Sequence, residues 1–197
     1  MLTKGRFPAD YLRDQDILPA IETYFKLNQL KQLYRQGWLR RGIPPESCES
    51  VAEHAFGVAL LCMLLADRSS ADLDPLKVLR LALLHDVGEV YAGDLTPSDG
   101  VSAGEKHHLE EQSVVQVMAG LEGGENWVAL WQEYERGSCA EARFVRQVDR
   151  LEMALQAGVY EFQHRCDLSE FLASAEQAIS DPALREILSA MRDARRP

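Results

Sequence analysis

The chain has 197 residues, 46% of them hydrophobic and 26% charged, a size and mixture that fit one soluble globular domain with a sizeable core. A net charge of −10 excludes binding a long nucleic acid by neutralising its phosphates and favours a small-molecule site. The first residues carry no secretory signal, and the longest apolar run, Val58 to Ala66, is about half of what a membrane span requires, so the expected compartment is the cytoplasm.

In chain order, residues 1–15 read as an N-terminal extension and 16–197 as a single helical domain. From Asp16 to Gln36, apolar residues at Ile17, Ile21, Leu27, Leu30 and Tyr34 keep a helical period. Gly42, Pro44 and Pro45 break the pattern. Ser50-Val51-Ala52-Glu53 is a capping box, opening an apolar helix that runs to about Asp67. Asp74-Pro75 starts another, whose leucines lie nearly all round and predict a central, buried helix. Gly88 to Gly104 is a Gly/Pro/Asp-rich connection. A polar helix from about Glu105 to Leu121 should stop at Gly123-Gly124, with a shorter helix around Trp127 to Tyr134 after it. Phe144, Val145, Val148, Leu151, Leu155, Val159 and Phe162 mark a further amphipathic helix, and Asp181-Pro182 marks a late start. No strand-like alternation is present, so the fold class is all-α. Cys48, Cys62, Cys139 and Cys166 contain no C-x-x-C pair and read as reduced thiols.

Polar groups inside the most apolar helices carry the chemistry. His54 lies near the start of one, and His85 and Asp86 end the leucine run of the other. Asp149 sits beside Val148 on the later amphipathic helix. A buried carboxylate costs several kcal/mol unless it is paired or binds a metal (order of magnitude). Two imidazoles and two carboxylates make a mixed nitrogen–oxygen set suited to a divalent transition ion such as manganese, cobalt, zinc or iron. Taken singly, each has a plainer role: His54 as a core histidine, Asp149 as an ion-pair partner of Arg146 or Arg150. A His-Asp doublet within a helix also diverges by about 100°.

Four segments carry a resemblance: Arg35-Gln36-Gly37-Trp38, Glu49-Ser50-Val51-Ala52-Glu53-His54, Leu83-Leu84-His85-Asp86-Val87-Gly88-Glu89 and Gly93-Asp94-Leu95-Thr96-Pro97. Together with Asp149, from about Leu27 onward, they resemble the HD-domain phosphohydrolases, and within them the 5′-deoxynucleotidase branch. The resemblance implies a single-domain HD-type helical bundle holding one divalent ion (cobalt, manganese or zinc) on His54, His85, Asp86 and Asp149. It implies release of phosphate from 2′-deoxyribonucleoside 5′-monophosphates. Glu89 and Asp94 are then the catalytic carboxylates, Glu89 to orient water or pass a proton to the departing oxygen. Asp94 would also contact the sugar hydroxyl, Arg35 would bind phosphate, and Trp38 would pack against the sugar. Arg40 or Arg41 is the alternative cation. The branch resembled implies a homodimer, while the acidic charge and the short apolar runs argue against a polymer or membrane partner.

His107 and His108 read as a solvated helix face, and His164 as a surface residue. Guanosine tetraphosphate hydrolases carry an Asp after the Glu of HD-x-x-E, where this chain has Val90. Deoxynucleoside triphosphate hydrolysis, and a non-catalytic metal-binding helical protein, are the remaining alternatives.

Overall fold

The computed structural model describes residues 1–69, 71–164 and 166–194; the expected domain end at 197 lies outside them. Among the described residues, ten α-helices follow one another, α1 (Pro19–Leu27), α2 (Gln36–Arg40), α3 (Val51–Leu65), α4 (Pro75–Leu84), α5 (Glu89–Ala92), α6 (Ala103–Met118), α7 (Gly124–Arg136), α8 (Ala140–His164), α9 (Ser169–Ala178) and α10 (Pro182–Ala194). Among the described residues there is no strand, only two isolated bridges, Thr3 with Leu33 and Tyr34 with Ser50. No helix among them is long and apolar enough to cross a membrane. The all-α expectation is met.

The chain packs as two compact units, each built from two stretches: Met1–Ala55 with Leu84–Gln132, and Phe56–Leu83 with Glu133–Pro197. In the first unit, Leu30, Leu33, Val51, Leu84, Val87, Val90, Val114, Val117, Met118 and Trp131 form the core. The antiparallel pairing that frames the site belongs here. Arg35 N–H donates to the Glu49 carbonyl at 3.0 Å and Val51 N–H to the Leu33 carbonyl at 2.9 Å, which sets residues 33–35 beside the start of α3. The N-terminal extension is tied to the same place, with Leu2 and the Gln36 side chain exchanging two hydrogen bonds of 3.2 and 2.9 Å.

In the second unit, α8 buries Phe144, Val145, Val148, Leu151 and Ala154, a helical stripe. Gln147 Oε1 accepts from the backbone of Ser180 and Asp181 at 2.6 and 2.8 Å, and Asp181 Oδ1 caps the N–H of Ala183 at 2.9 Å, so α10 begins where Asp181-Pro182 predicts.

Several expectations are corrected. The predicted helix over 16–36 is broken: α1 begins only at Pro19, whose ring suits a first helical position, and ends at Leu27 before a 3-10 turn over Asn28–Lys31. The Gly/Pro segment after it hides the short helix α2, closed by Gly42 at φ +86°. Helix α6 stops at Met118, and Gly123-Gly124 begins α7 instead of ending α6. Helix α4 is not buried all round, since Leu76 and Leu83 are each more than half exposed.

Candidate active site

His54 is presented by the first turn of α3. The capping box forms as the sequence predicts: Glu53 N–H donates to Ser50 Oγ at 3.3 Å, and Glu53 Oε2 accepts from Ser50 N–H and O–H, each at 2.6 Å. The following residue, His54, is completely buried.

His85 and Asp86 stand differently from expectation. Helix α4 ends at Leu84, and the doublet lies in the turn beyond it, where Val87 N–H bonds to the Leu84 carbonyl and Glu89 N–H to the Asp86 carbonyl. These are contacts three residues apart, a tighter winding than the α-helix, in which residues i and i+3 eclipse. Leu84, Val87 and Val90 therefore all face the core, while Asp86 and Glu89 share the opposite side. Such a winding still sets adjacent residues about 120° apart, and the doublet's donors meet because the two side chains bend toward each other, His85 Nε2 to Asp86 Oδ2 at 3.1 Å. Gly88 is required by packing: a Cβ there would meet Glu110 Cβ of α6 at 2.7 Å and its Cα at 3.1 Å.

The three donor atoms converge. His54 Nε2 and His85 Nε2 are 3.4 Å apart, His85 Nε2 and Asp86 Oδ2 3.1 Å, and His54 Nε2 and Asp86 Oδ2 3.8 Å. Two ligands each about 2.1 Å from one transition ion stand roughly 3.0–3.4 Å apart at right-angled or tetrahedral angles. The His54–His85 and His85–Asp86 spacings fall in this range and the His54–Asp86 one is longer, so these residues fit a divalent ion by donor chemistry and by two of their three spacings. Burial alone would push the Asp86 carboxyl up, but His85, Arg35 and His54 outweigh it and hold Asp86 well below the usual carboxylate range.

Arg35 Nη1 draws three carboxylates together, with Asp94 Oδ1 at 3.1 Å, Asp86 Oδ2 at 3.4 Å and Glu89 Oε1 at 3.5 Å. Asp94 is also a cap, accepting the Gln36 backbone N–H of α2 at 2.5 Å through Oδ2. Its loop turns at Gly93, at φ +81°, a conformation open to glycine. Glu89 is buried, and its Oε2 has no hydrogen-bond partner among the described residues. Burial, with Asp86 and Asp94 adding their charge, drives the Glu89 carboxyl well above its ordinary range against the pull of Arg35 and Lys106. The cluster thus sorts its acids: Asp86 is ionised at pH values where Glu89 keeps its proton.

Other expected residues take other places. Trp38 is corrected: it has no exposed surface, and its indole N–H donates to Glu49 Oε1 at 2.7 Å, so it cannot lie against a sugar in this conformation. Arg40 is engaged with Thr96, Ser98 and Asp99, clamping the loop after Asp94, and Arg41 donates to the Gly37 carbonyl at 3.2 Å. Asp149 lies on α8 in the second unit, its side chain 15% exposed, with Arg150 Nε at 3.9 Å. Cys62 of that unit is pushed up to about 12 by burial, with the Asp149 charge adding to it. All four cysteines are free thiols. His107 is not a plain solvated residue, for it stacks on Trp131 with ring centroids 5.7 Å apart and 14° between planes, whereas His108 is exposed.

Two residues emerge that the sequence pattern does not single out. Lys106 on α6 donates to the Leu95 carbonyl at 3.0 Å and pairs with Glu110 at 3.4 Å. Burial disfavours its charge, but Glu110, Glu89, Asp86 and Asp94 together raise its pKa, so it is a second cation facing the acidic cluster. Trp131 donates its indole N–H to the His85 carbonyl at 3.2 Å. The only sequence signal for either is a lysine or a tryptophan on a helix later in the chain.

The HD domain family model matches residues 27–190. A 5′-deoxynucleotidase of Dictyostelium discoideum is 33% identical over 177 residues, covering 83% of this chain and 92% of that protein. The 5′-deoxynucleotidase of Homo sapiens is 36% identical, covering 83% and 79%. Among solved structures, a conserved hypothetical protein from Pyrococcus furiosus superposes with a TM-score of 0.75 at 31% identity, covering 88% of this chain and 99% of that one. A protein from Magnetospirillum magnetotacticum described as a predicted metal-dependent phosphohydrolase gives a TM-score of 0.68 at 25% identity, covering 89% and 93%.

Proposed function

This chain belongs to the HD domain family, and from that premise we propose that it releases orthophosphate from 2′-deoxyribonucleoside 5′-monophosphates. It is a metal-dependent phosphoric monoester hydrolase. The observation that carries the reading is the meeting of His54, His85 and Asp86 donors beside a buried, proton-retaining Glu89. That is the equipment for hydrolysing a phosphate ester, in a chain whose relatives bear the name 5′-deoxynucleotidase.

The proposed ligands are His54, His85 and Asp86, with Asp149 as the fourth on the strength of the H…HD…D pattern. A divalent ion held there supplies Lewis acidity toward a phosphoryl oxygen and lowers the pKa of water; cobalt, manganese and zinc all suit the donors. Its charge also answers an electrostatic need. Without it, a phosphate dianion would approach an ionised Asp86 and a cluster in which Arg35 is already shared among carboxylates.

Arg35 turns its guanidinium to the phosphate oxygens, steered by Asp94. Asp94 in turn faces the sugar hydroxyl, a role that the family resemblance supports. Glu89 acts as the general acid: water adds to phosphorus, the bond to the 5′ oxygen breaks, and the Glu89 proton passes to that oxygen. The proton shed by the attacking water restores the Glu89 carboxyl, leaving a deoxynucleoside and orthophosphate. Trp38 acts from the core, holding Glu49, whose carbonyl in turn binds the Arg35 N–H.

The test is phosphate release by chelator-stripped protein resupplied with cobalt, manganese or zinc. Its substrates are deoxynucleoside and ribonucleoside monophosphates, a deoxynucleoside triphosphate and guanosine tetraphosphate. Metal-dependent orthophosphate release, mainly from the deoxy monophosphates, is expected. Tripolyphosphate or pyrophosphate as product would move the activity to another nucleotide, and silence with every pair would leave a metal-binding protein without catalysis.

The protein is further proposed to be a homodimer. What supports this is a stripe on α3 of the second unit, Phe56, Leu60, Met63 and Leu64, that is 45–67% exposed. Light scattering should give twice the monomer mass, and Leu60→Glu should halve it; a wild-type monomer at micromolar concentration would refute the assignment. The free thiols support a reducing compartment, the cytoplasm.

A further inference from the structure

Trp131 is fully buried on α7 in the first unit, in the same core as Leu84 and Val87, the residues that flank His85 and Asp86. One face of its ring is covered by His107. An apolar side chain of similar volume would fill this space equally well, because packing asks nothing of an indole nitrogen. Yet the N–H is aimed at a particular acceptor, the backbone carbonyl of His85, 3.2 Å away and buried. That carbonyl lies just past the end of α4, where the regular ladder of helix hydrogen bonds has stopped. The hydrogen bond therefore anchors the backbone of the turn carrying two of the converging donors, from the core side opposite to them.

We propose that Trp131 is a positioning residue for the metal centre: its indole N–H fixes the His85 carbonyl and so holds the His85 and Asp86 donors in register with His54. The proposal rests on the reading of this cluster as a metal site. His107 supports it at one remove, by fixing the plane of the indole through stacking. Groups that orient a metal ligand without touching the metal typically change its affinity by about 10–100-fold when removed.

The test compares Trp131→Phe, which keeps an aromatic ring and loses the donor, with Val117→Ala. Val117 is a fully buried residue of the same core, on α6. Cobalt affinity of the stripped protein is measured from its visible absorption, alongside the thermal midpoint without metal, kcat and KM. In Trp131→Phe, cobalt should bind roughly 10-fold more weakly, with an altered absorption band and a fall in kcat larger than any change in KM. Val117→Ala should lower the thermal midpoint at least as much and leave cobalt affinity and its spectrum unchanged. If Trp131→Phe binds cobalt as the wild type does, or if both variants lose affinity in step with stability, Trp131 is a core residue only and the proposal fails. Should the phenylalanine variant not fold, His107→Ala, which frees the indole to tilt, must weaken cobalt in the same direction by a smaller factor. Absence of cobalt binding by the wild type would instead overturn the metal reading beneath the proposal.

Discussion

Replacing His85 with alanine is expected to lower phosphate release by roughly 10³-fold or more, a loss at the upper end of that seen when one electrostatic group of a reacting centre is removed. The reason is positional. His85 Nε2 is the donor nearest to both others, 3.4 Å from His54 Nε2 and 3.1 Å from Asp86 Oδ2. Without it two donors remain in the first unit, and Asp86 loses the neighbour that does most to keep its carboxyl ionised against burial. Metal content after dialysis should fall with activity, while helicity stays, because the Leu84, Val87 and Val90 anchors are untouched. Groups acting as one centre are not additive, so His54→Ala, His85→Ala and the double variant should all show nearly the same residual rate. Asp149→Ala is the sharper comparison. As the fourth ligand it must match the histidine variants; if it instead retains full activity and metal content, its role is the ion pair with Arg150. A His85→Ala protein that keeps wild-type turnover with metal present would remove the metal from the reaction.

Much of this centre is legible before folding because its signals are local. Ser50 and Glu53 lie three residues apart and find each other within one turn, so the start of α3 and the presentation of His54 follow from four letters of sequence. Asp74 and Asp181 cap the helices that their following prolines announce, for the same reason. What fails is whatever depends on distant partners. The leucine run before His85 contains no stop residue, so nothing in it shows that α4 closes at Leu84 and winds tighter beyond; the core contacts of Val87 and Val90 decide that. Trp38 lies three residues after Arg35 in sequence, but it turns inward to Glu49. Lys106 and Trp131 reach the site across the first unit, from helices whose own patterns say nothing about Leu95 or His85. The exposed sides of Leu76 and Leu83 are a related failure: an all-round apolar helix predicts burial, whereas the chain leaves that surface uncovered.

Glu89→Gln separates chemistry from stability in opposite directions. The amide keeps the size of the side chain and can still donate a hydrogen bond, but it has no proton to transfer, so kcat should fall by about 10²–10⁴-fold, the usual worth of a positioned acid. Cobalt content should stay near the wild-type level, which distinguishes this variant from the histidine ones. Stability should move the other way. Glu89 is buried beside Asp86 and Asp94, and its folded pKa lies above the ordinary 4.5. A carboxyl whose folded pKa is raised favours folding below its unfolded pKa, and that advantage is lost as pH rises through the folded value. Above about 4.5 the unfolded chain ionises at little cost, while the folded one must either hold its proton or bury a third negative charge. Glutamine is free of this penalty. In the metal-free protein the melting temperature of Glu89→Gln should therefore exceed that of the wild type, by a margin that is small near pH 4 and grows toward neutrality. The same proton gives the activity its alkaline limb: turnover should decline as pH rises through the raised Glu89 pKa, and the residual rate of the glutamine variant should lack that decline. A variant that loses activity and becomes less stable at every pH would place Glu89 in the framework of the site, with no proton to give.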